Sequence, residues 1–356
     1  MRTFLRPTAF VDSPFGNDGK VARLAGGLNW FAAVELIKVE DGRRVATDLV
    51  PVEGVESRFD DDMAAQWNAL TAAPAPLQLG ERTIRLDQPQ VMGVINATPD
   101  SFSDGGQFTD APAAAEAGAD MAAQGAAIID VGGESTRPGA RSVWEGDEIE
   151  RVVPVIRQLA LGGAAVSADT RKADVMAAAL EAGARMINDV SALTYDGRSA
   201  GIVAASSVPV VLMHHQGPPE TMQENPHYGD VLVEVYQWLE ERIAAAEEAG
   251  ISRSRILIDP GFGFGKNVGH NLELMNELAL LHSLGCPIVV GASRKRTIGA
   301  LSGEAAVNKR LGGSIAFALK AAEQGVQILR VHDVYETVQA LKVWRGLRDQ
   351  ALTPRT

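Results

Sequence analysis

Eight short apolar runs rich in Val and Ile recur at even spacing from about Gln90 onward, and they limit the possible folds more than any other feature. They read VMGVINA, AIIDVGG, AVSADT, MINDV, VPVVLMHH, RILIDPG, PIVVGAS and ILRVHD. Each is followed by a longer stretch rich in Ala, Leu and Glu at helical spacing. Strands with both faces buried that alternate with helices are typical of a parallel sheet, and eight such units in roughly 250 residues predict a closed (β/α)8 barrel.

The alternative is an open, doubly wound sheet. Such a sheet has a switch point between two halves, whereas these units recur without a pause. We therefore expect an α/β protein with a TIM barrel over residues 89–350. The 356 residues, 46% of them hydrophobic, are enough for one large domain and an appendage.

The first 88 residues have a different pattern, which predicts a small N-terminal α+β extension. It contains a hairpin turning at Asp41-Gly42, a short helix in DDDMAAQWNALTAA and a second hairpin in LQLGERTIRL. We find no chemical constellation in this region. Packing or oligomerisation is therefore its expected role.

Charge and composition narrow the class of protein. The net charge is −12 and basic residues do not form long runs, which argues against a nucleic-acid partner. The opening MRTFLRPTAF has no apolar signal region, and no apolar run reaches the roughly 18 residues of a membrane span, so a cytoplasmic location is expected. Cys286 is the sole cysteine of the sequence, and its position at a strand start predicts a buried small side chain.

Polar residues end every predicted strand. They are Asn96, Asp130, Asp169, Asn188 with Asp189, His214 with His215, Asp259, Ser293-Arg294-Lys295, and Arg330 with His332. A single polar residue at a strand end is as often a structural hydrogen-bond partner as a functional group. Eight strands that end in this way predict an active site, because TIM-barrel sites lie at the carboxyl ends of the strands.

Strand alternation sorts these residues further. Arg330 and His332 are two positions apart, share a face and can meet the same anionic group. His214 and His215 are adjacent and should point to opposite faces, which makes them a poor metal clamp. We expect at most one of them in the site and the other in the core or in supporting hydrogen bonds.

The acidic and amide residues predict a different kind of ligand. Asp169, Asn188 and Asp259 could converge on a flat heterocycle whose guanidine-like edge donates paired hydrogen bonds, although Lys295 could equally serve as an internal partner. The GFGFGK stretch lacks the spacing of a phosphate-binding loop. Its glycines fit better as a stretch of backbone that lies close to the ring of a bound ligand. Phe264 would either contact that ring or pack in the core.

With these strand ends assigned, the sequence closely resembles the dihydropteroate synthases. The resemblance runs from about residue 90 to 345. It rests on VMGVINATPDSFSDGG, IIDVGGESTRPGA, SADT, INDVSAL, LMHHQGPPETMQ, LIDPGFGFGKN, VGASRK and RVHDV, in that order. Two long signatures and six shorter ones in register are far more specific than a lone glycine motif.

The resemblance implies an enzyme of folate biosynthesis. It would condense 6-hydroxymethyl-7,8-dihydropterin diphosphate with p-aminobenzoate, releasing diphosphate and 7,8-dihydropteroate. It also implies Mg²⁺ as cofactor, a homodimer and membership of the enzyme class that sulfonamides target.

The resemblance further assigns roles to individual residues. The implied pterin pocket comprises Asp169, Asn188, Asp259, Lys295, Met213, Gly263 and Phe264. The implied diphosphate site comprises Asn96, which would also bind Mg²⁺, with Arg330 and His332. The implied p-aminobenzoate pocket comprises Phe102, Thr136, Arg137, Pro138 and Ser293. Asp100 and Ser101 would lie in a lid.

A dissociative displacement is the mechanism that we hypothesise, since diphosphate is a good leaving group once its charge is neutralised. One alternative function is the pterin-binding barrel of corrinoid-linked methyltransferases, which would not need the diphosphate residues. Another is a catalytically silent paralogue that binds a pterin or a protein partner. Neither the lid residues nor the diphosphate residues are lost from the sequence, which disfavours both alternatives.

Overall fold

The N-terminal region forms a small antiparallel sheet. The structure, a computed structural model, describes residues 1–97, 110–135, 142–217 and 221–353. The first four strands are β1 (Arg2–Val11), β2 (Ala22–Arg23), β3 (Trp30–Glu40) and β4 (Arg43–Pro51). Strand β3 is central, with β1 on one side and with β4 and β2 on the other. The predicted hairpin is confirmed, because Asp41 and Gly42 have the positive φ angles, 49° and 73°, that a two-residue turn requires.

Strand β1 was not predicted from the sequence. It contains Pro7, and a proline is tolerated in a sheet mainly at an edge. The outer side of β1 is covered by helix α1 (Asp61–Thr71). The side chain of Gln66 accepts a hydrogen bond from the Leu5 amide at 2.9 Å and donates one to the Thr3 carbonyl at 2.8 Å.

A second hairpin, β5 (Leu77–Leu79) and β6 (Arg82–Ile84), leads into eight parallel strands within the described residues. These strands are β7 (Gln90–Asn96), β8 (Ile128–Gly132), β9 (Val166–Asp169), β10 (Met186–Asp189), β11 (Val210–Met213), β12 (Ile256–Asp259), β13 (Val289–Val290) and β14 (Ile328–Val331). Their order is β12-β11-β10-β9-β8-β7-β14-β13, and a parallel bridge between Ile258 and Ile288 joins the two ends. The predicted barrel is confirmed, and the open-sheet alternative is wrong because the sheet closes.

Helices surround the barrel. They are α2 (Ala111–Ala123), α3 (Glu145–Leu161), α4 (Ala173–Ala182), α5 (Ser199–Ser206), α6 (Val231–Glu248), α7 (Val268–Glu277), α8 (Arg296–Leu301), α9 (Leu311–Glu323) and α10 (Val334–Ala351). The outward side chains of the strands, such as Ile129, Val131 and Val166, share one large core with the apolar faces of these helices.

The lower half of the barrel interior is a layer of apolar side chains. One comes from each strand or the residue just before it: Met92, Ile128, Ala165, Met186, Val211, Leu257, Val289 and Ile328. Leu77, Leu79 and Ile84 of the β5–β6 hairpin belong to the same cluster and close the barrel from below. Because side chains alternate along a strand, the residue two positions further on faces the upper half of the interior.

The N-terminal sheet packs against the outer side of the barrel. The Phe4 ring meets the Tyr236 ring of α6 edge-on, with centroids 4.8 Å apart. Arg44 of β4 forms ion pairs with Asp230 at 3.0 Å and with Glu277 at 3.1 Å. The extension is therefore joined to the barrel by both apolar and charged contacts.

Two further expectations concern single features of the chain. Cys286 is buried as predicted, and burial raises the pKa of its thiol to about 12, which leaves it unreactive. No helix in the described residues is both long enough and apolar enough to cross a membrane.

Candidate active site

A polar layer lies directly above the apolar layer, at the carboxyl ends of the strands. Its members, six polar residues and one methionine, lie two or four residues beyond the apolar ones: Asn96, Asp130, Asp169, Asn188, Met213, Asp259 and Arg330. Gly291, directly after β13, occupies the equivalent position. A Cβ there would lie 3.8 Å from Arg330 Cδ and 3.9 Å from Asp259 Oδ2, so the glycine leaves space between these two groups.

Arg330 links two carboxylates across the barrel. Its Nε donates to Asp130 Oδ2 at 2.7 Å, and its Nη2 donates to Asp169 Oδ2 at 2.6 Å. Asn188 Nδ2 donates to the same Asp130 oxygen at 3.0 Å. Burial opposes the charge of Arg330, but Asp130 and Asp169 more than compensate and raise the pKa of its guanidinium. Asp130 was named only as a strand end in the sequence analysis, and the structure places it at the centre of this network.

The other carboxylates have raised pKa values. Burial raises the pKa of Asp169 to about 7, although Arg330 opposes the shift. Burial also raises the pKa of Asp259 to about 6, against a hydrogen bond of 2.7 Å from the Gly261 amide to its Oδ1. Groups whose pKa lies this close to neutrality cluster at functional sites.

The GFGFGK loop after β12 is organised by a buried lysine. Lys266 Nζ contacts His214 Nδ1 at 2.8 Å and donates to the carbonyls of Gly261 at 3.0 Å and Phe264 at 3.1 Å. A Cβ on Gly261 would lie 1.8 Å from the His214 carbonyl oxygen, so no larger residue fits. Burial lowers the pKa of Lys266 to about 7. Gly261 therefore permits close packing of this loop against the end of β11.

Of the two adjacent histidines, His214 supports this loop through its contact with Lys266. The rings of His214 and His215 both contact the Trp238 ring, with centroids 4.9 and 5.7 Å away. Strand β11 ends at Met213, so strand alternation does not separate the two rings. Burial lowers the pKa of His214 well below its ordinary value, and it bonds Lys266 as a neutral acceptor.

Phe264 and Lys295 form one wall of the mouth, which is the opening of the barrel at the carboxyl ends of its strands. Lys295 Nζ lies 4.2 Å from the centroid of the Phe264 ring, within the range of a cation–π contact. Gly263 lies against the stem of Lys295, and its carbonyl accepts a hydrogen bond from Gln223. An aromatic face and a cation therefore border the carboxylates.

Ser293 and His332 lie at the adjacent strand ends. His332 Nδ1 is 3.1 Å from Ser293 Oγ, and Arg294 between the strands forms an ion pair with Asp333. Burial, and then the charges of Arg330 and Arg294, lower the pKa of His332 to about 3, so its ring is neutral. In the free protein Arg330 therefore bonds Asp130 and Asp169, whereas His332 contacts Ser293.

The structure brings together ten of the predicted site residues around the mouth. They are Asn96, Asp169, Asn188, Met213, Asp259, Gly263, Phe264, Ser293, Lys295 and Arg330, with His332 at their edge. Six other predicted residues lie outside the described part of the chain: Asp100, Ser101, Phe102, Thr136, Arg137 and Pro138. Asp130 and Gly291 could have been found from the sequence by counting in steps of two from the apolar layer.

Comparison with known proteins identifies the class. Residues 92–332 match the sequence profile of a family described as pterin binding enzyme. This match covers most of the barrel and includes every described residue of the polar layer. The fold and its polar mouth are thus those of a pterin-binding enzyme.

Individual relatives define the family more closely. The chain is 47% identical over 262 residues to the dihydropteroate synthase of Escherichia coli K12, which covers 73% of this chain and 92% of the relative. It matches the Xanthomonas albilineans dihydropteroate synthase solved with 4-aminobenzoic acid at 49% identity and a TM-score of 0.73, covering 79% and 100% of the two chains. The same enzyme solved with 7,8-dihydropteroate matches at 46% identity and a TM-score of 0.70, covering 78% and 100%. The chain belongs to the dihydropteroate synthase family.

Proposed function

We propose that the barrel condenses 6-hydroxymethyl-7,8-dihydropterin diphosphate with p-aminobenzoate to give 7,8-dihydropteroate and diphosphate, a step of folate biosynthesis. The observation that carries the proposal is the convergence of Asp169, Asn188 and Asp259 in one polar layer, beside the Phe264–Lys295 wall. The Xanthomonas albilineans enzyme has been solved with 4-aminobenzoic acid and with 7,8-dihydropteroate, which supports p-aminobenzoate as a substrate and dihydropteroate as the product here.

The pterin ring fits this layer by its pattern of donors and acceptors. Its guanidine-like edge carries adjacent N–H donors, which match the two oxygens of one carboxylate. We assign that role to Asp259, whose position is fixed by the Gly261 amide. Asp169 and Asn188 would bind the remaining ring nitrogens, while Met213, Gly263 and Phe264 would line the ring and Lys295 would donate to its polar edge.

We assign the diphosphate to Asn96, Arg330 and His332. His332 is neutral in the free protein, and an approaching polyanion would favour its protonated form. Mg²⁺ prefers oxygen ligands and is often bound through one or two protein oxygens together with substrate phosphates. The amide oxygen of Asn96, at the end of β7, fits that pattern, and Mg²⁺ bound there would neutralise charge on the leaving group.

The chemistry that we propose is a dissociative displacement. The bond between the exocyclic methylene carbon and the diphosphate oxygen breaks, and its electron pair leaves with diphosphate. The amine nitrogen of p-aminobenzoate then forms the new C–N bond and loses a proton to solvent or to diphosphate. A neutral aryl amine needs no strong base, so the chain has to orient the substrates and exclude water.

The second substrate would lie beside Ser293. Thr136, Arg137, Pro138 and Phe102 complete the proposed p-aminobenzoate pocket, and Asp100 and Ser101 the proposed lid; these residues lie outside the described part of the chain. A homodimer, which the sequence resemblance implies, and a cytoplasmic location, which the absence of an apolar signal region or membrane span favours, belong to the same proposal. Light scattering and cell fractionation test them.

The deciding experiment measures diphosphate and 7,8-dihydropteroate in the same samples, using purified protein, the dihydropterin diphosphate, and Mg²⁺. We expect product to depend on both organic substrates and on Mg²⁺. Tight pterin binding without product would contradict the proposal and indicate a silent paralogue.

A further inference from the structure

A buried asparagine binds the loop that follows β12. Asn271 belongs to α7 and is 2% exposed. Its Oδ1 accepts a hydrogen bond from the Gly263 amide at 2.9 Å, and its Nδ2 donates to the Asn267 carbonyl at 2.7 Å. A backbone amide can only donate and a carbonyl can only accept, so these two partners fix the direction in which the side-chain amide points.

The same side chain also binds the segment that follows β13. Asn271 Nδ2 donates to Thr297 Oγ1 at 3.2 Å. Thr297 is buried and is the second residue of α8, the short helix that begins just after the Ser293-Arg294-Lys295 turn. One buried amide group therefore joins the loop after β12 to the start of the helix after β13. Networks of this kind hold their members in a single arrangement when every polar group is satisfied.

The two segments that Asn271 joins also meet at the mouth. A Cβ on Gly263 would lie 3.4 Å from Lys295 Cδ, and Lys295 Nζ lies 4.2 Å from the centroid of the Phe264 ring. Phe264 directly follows Gly263, and Lys295 lies two residues before Thr297. The hydrogen bonds of Asn271 thus reach a near neighbour of each member of the Phe264–Lys295 wall.

We propose that Asn271 is a positioning residue for the dihydropterin ring. Because it holds Gly263 and Thr297 in one hydrogen-bond network, it sets the position of the Phe264 ring relative to the Lys295 ammonium group. Both groups border the proposed pterin site, so their relative position decides how the ring lies against the carboxylates. The inference rests on the proposed function and adds to it a residue that acts on the ring through the two groups lining it.

The first variant is Asn271→Leu, which keeps the branched shape of the side chain but removes its acceptor and its donors. Calorimetry measures the binding of 6-hydroxymethyl-7,8-dihydropterin diphosphate with Mg²⁺ in the absence of p-aminobenzoate. We expect Kd to rise about 10-fold or more, because a displaced wall loses its orientation toward the ring.

The second variant, Thr297→Val, removes a single hydrogen bond and decides the matter if Asn271→Leu does not fold. We expect Kd for the same ligand to rise about 3- to 10-fold, the usual effect of one lost hydrogen bond. In a Lys295→Ala background the same substitution should cause no further rise, because the group that Thr297 helps to position is absent. A general loss of stability would not depend on Lys295 in this way.

Another buried asparagine provides a matched control. Asn29 is 5% exposed, and its Nδ2 donates to the Ala322 carbonyl at 2.7 Å, where the N-terminal extension contacts α9. Asn29→Leu therefore makes the same change of side chain in a similarly buried position away from the mouth. It should lower the free energy of unfolding and leave Kd for the dihydropterin diphosphate unchanged.

The outcomes separate the inference from the function on which it rests. A rise in Kd for Thr297→Val that disappears in the Lys295→Ala background supports the inference. An unchanged Kd for Thr297→Val, or a rise of equal size with and without Lys295, would overturn it while leaving the proposed function intact. A wild-type protein that binds the dihydropterin diphosphate but makes no dihydropteroate would overturn the proposed function alone, and one that does not bind it would overturn both.

Discussion

Asp259 has one oxygen fixed by the protein and one left for a ligand. The Gly261 amide holds Oδ1, while Oδ2 faces the space left by Gly291. Asp169 differs in its partner, because its Oδ2 is bound by the side chain of Arg330 and not by a backbone amide. These local contacts favour Asp259 as the group that accepts the guanidine-like edge of the pterin, and Asp169 as a group that changes partner when the ligand binds.

Asp259→Ala should therefore weaken pterin binding severely. Removing a buried, hydrogen-bonded charge from an interface costs about 2–5 kcal/mol, which corresponds to a loss of at least about 30-fold in affinity. Calorimetry with a pterin ligand measures this directly. Asp48→Ala, in an exposed ion pair of the N-terminal sheet, is the control. An affinity of Asp259→Ala near that of wild type would refute the assignment.

The affinity for a pterin should also depend on pH. Burial raises the pKa of Asp259 to about 6, and the paired N–H donors of the ligand require the ionised form. Binding should weaken below about pH 6, approaching tenfold per pH unit, and level off above it. Titrations between pH 5 and pH 8 with a pterin that does not itself titrate there provide the measurement. An affinity that is flat across this range would show that Asp259 does not accept these hydrogen bonds.

At the scale of elements, the loop after β12 depends on Lys266. This one ammonium group binds two loop carbonyls and the buried His214 ring. The Gly261 carbonyl is one of those acceptors, and the Gly261 amide is the donor to Asp259. Lys266 thus supports the Asp259 carboxylate through a single residue, Gly261.

Lys266 should give the protein a characteristic dependence of stability on pH. Burial lowers its pKa to about 7, below the ordinary value of 10.5, so between these two pH values the unfolded chain binds more protons than the folded one. The free energy of unfolding contributed by this group therefore rises with pH over that window, by at most about 1.4 kcal/mol per unit. Urea unfolding of wild type and Lys266→Met at pH 7.5 and pH 9.5 should show this rise in the wild type alone. Equal slopes in the two proteins would contradict it.

The elements of the fold were largely predictable, whereas the partners of the site residues were not. Apolar runs reveal strands locally, and counting in steps of two assigns a face to each polar residue. Strand β1 was not predicted, because it pairs with a strand distant in the sequence and because Pro7 is untypical of a strand. Arg330 and Asp130 are 200 residues apart, and Lys266 and His214 are 52 apart. The alternation of side chains along a strand predicts which face of the sheet a residue lies on. Its hydrogen-bond partners depend on which strands the closed barrel brings together.

At the scale of the whole molecule, the extension and the barrel share buried surface on the outer side of α6. Phe4 is fully buried and belongs to the same apolar cluster as the barrel's strands and helices. Leu5, Phe31 and Leu70 of the extension pack with Ala279, which follows α7. This surface is on the opposite side of the strands from the polar interior, so stability and chemistry should be separable.

Phe4→Ala tests that separation. Truncating a buried phenylalanine typically costs about 3–5 kcal/mol, through lost burial and the cavity left behind. If the extension and barrel unfold together, the variant should show one unfolding transition, shifted to lower denaturant with an unchanged slope, and wild-type KM for both substrates. Phe15→Ala is the control, because that ring is 54% exposed. Two separate transitions, with only the first displaced, would show instead that the extension folds independently and that its contacts with α6 do not stabilise the barrel.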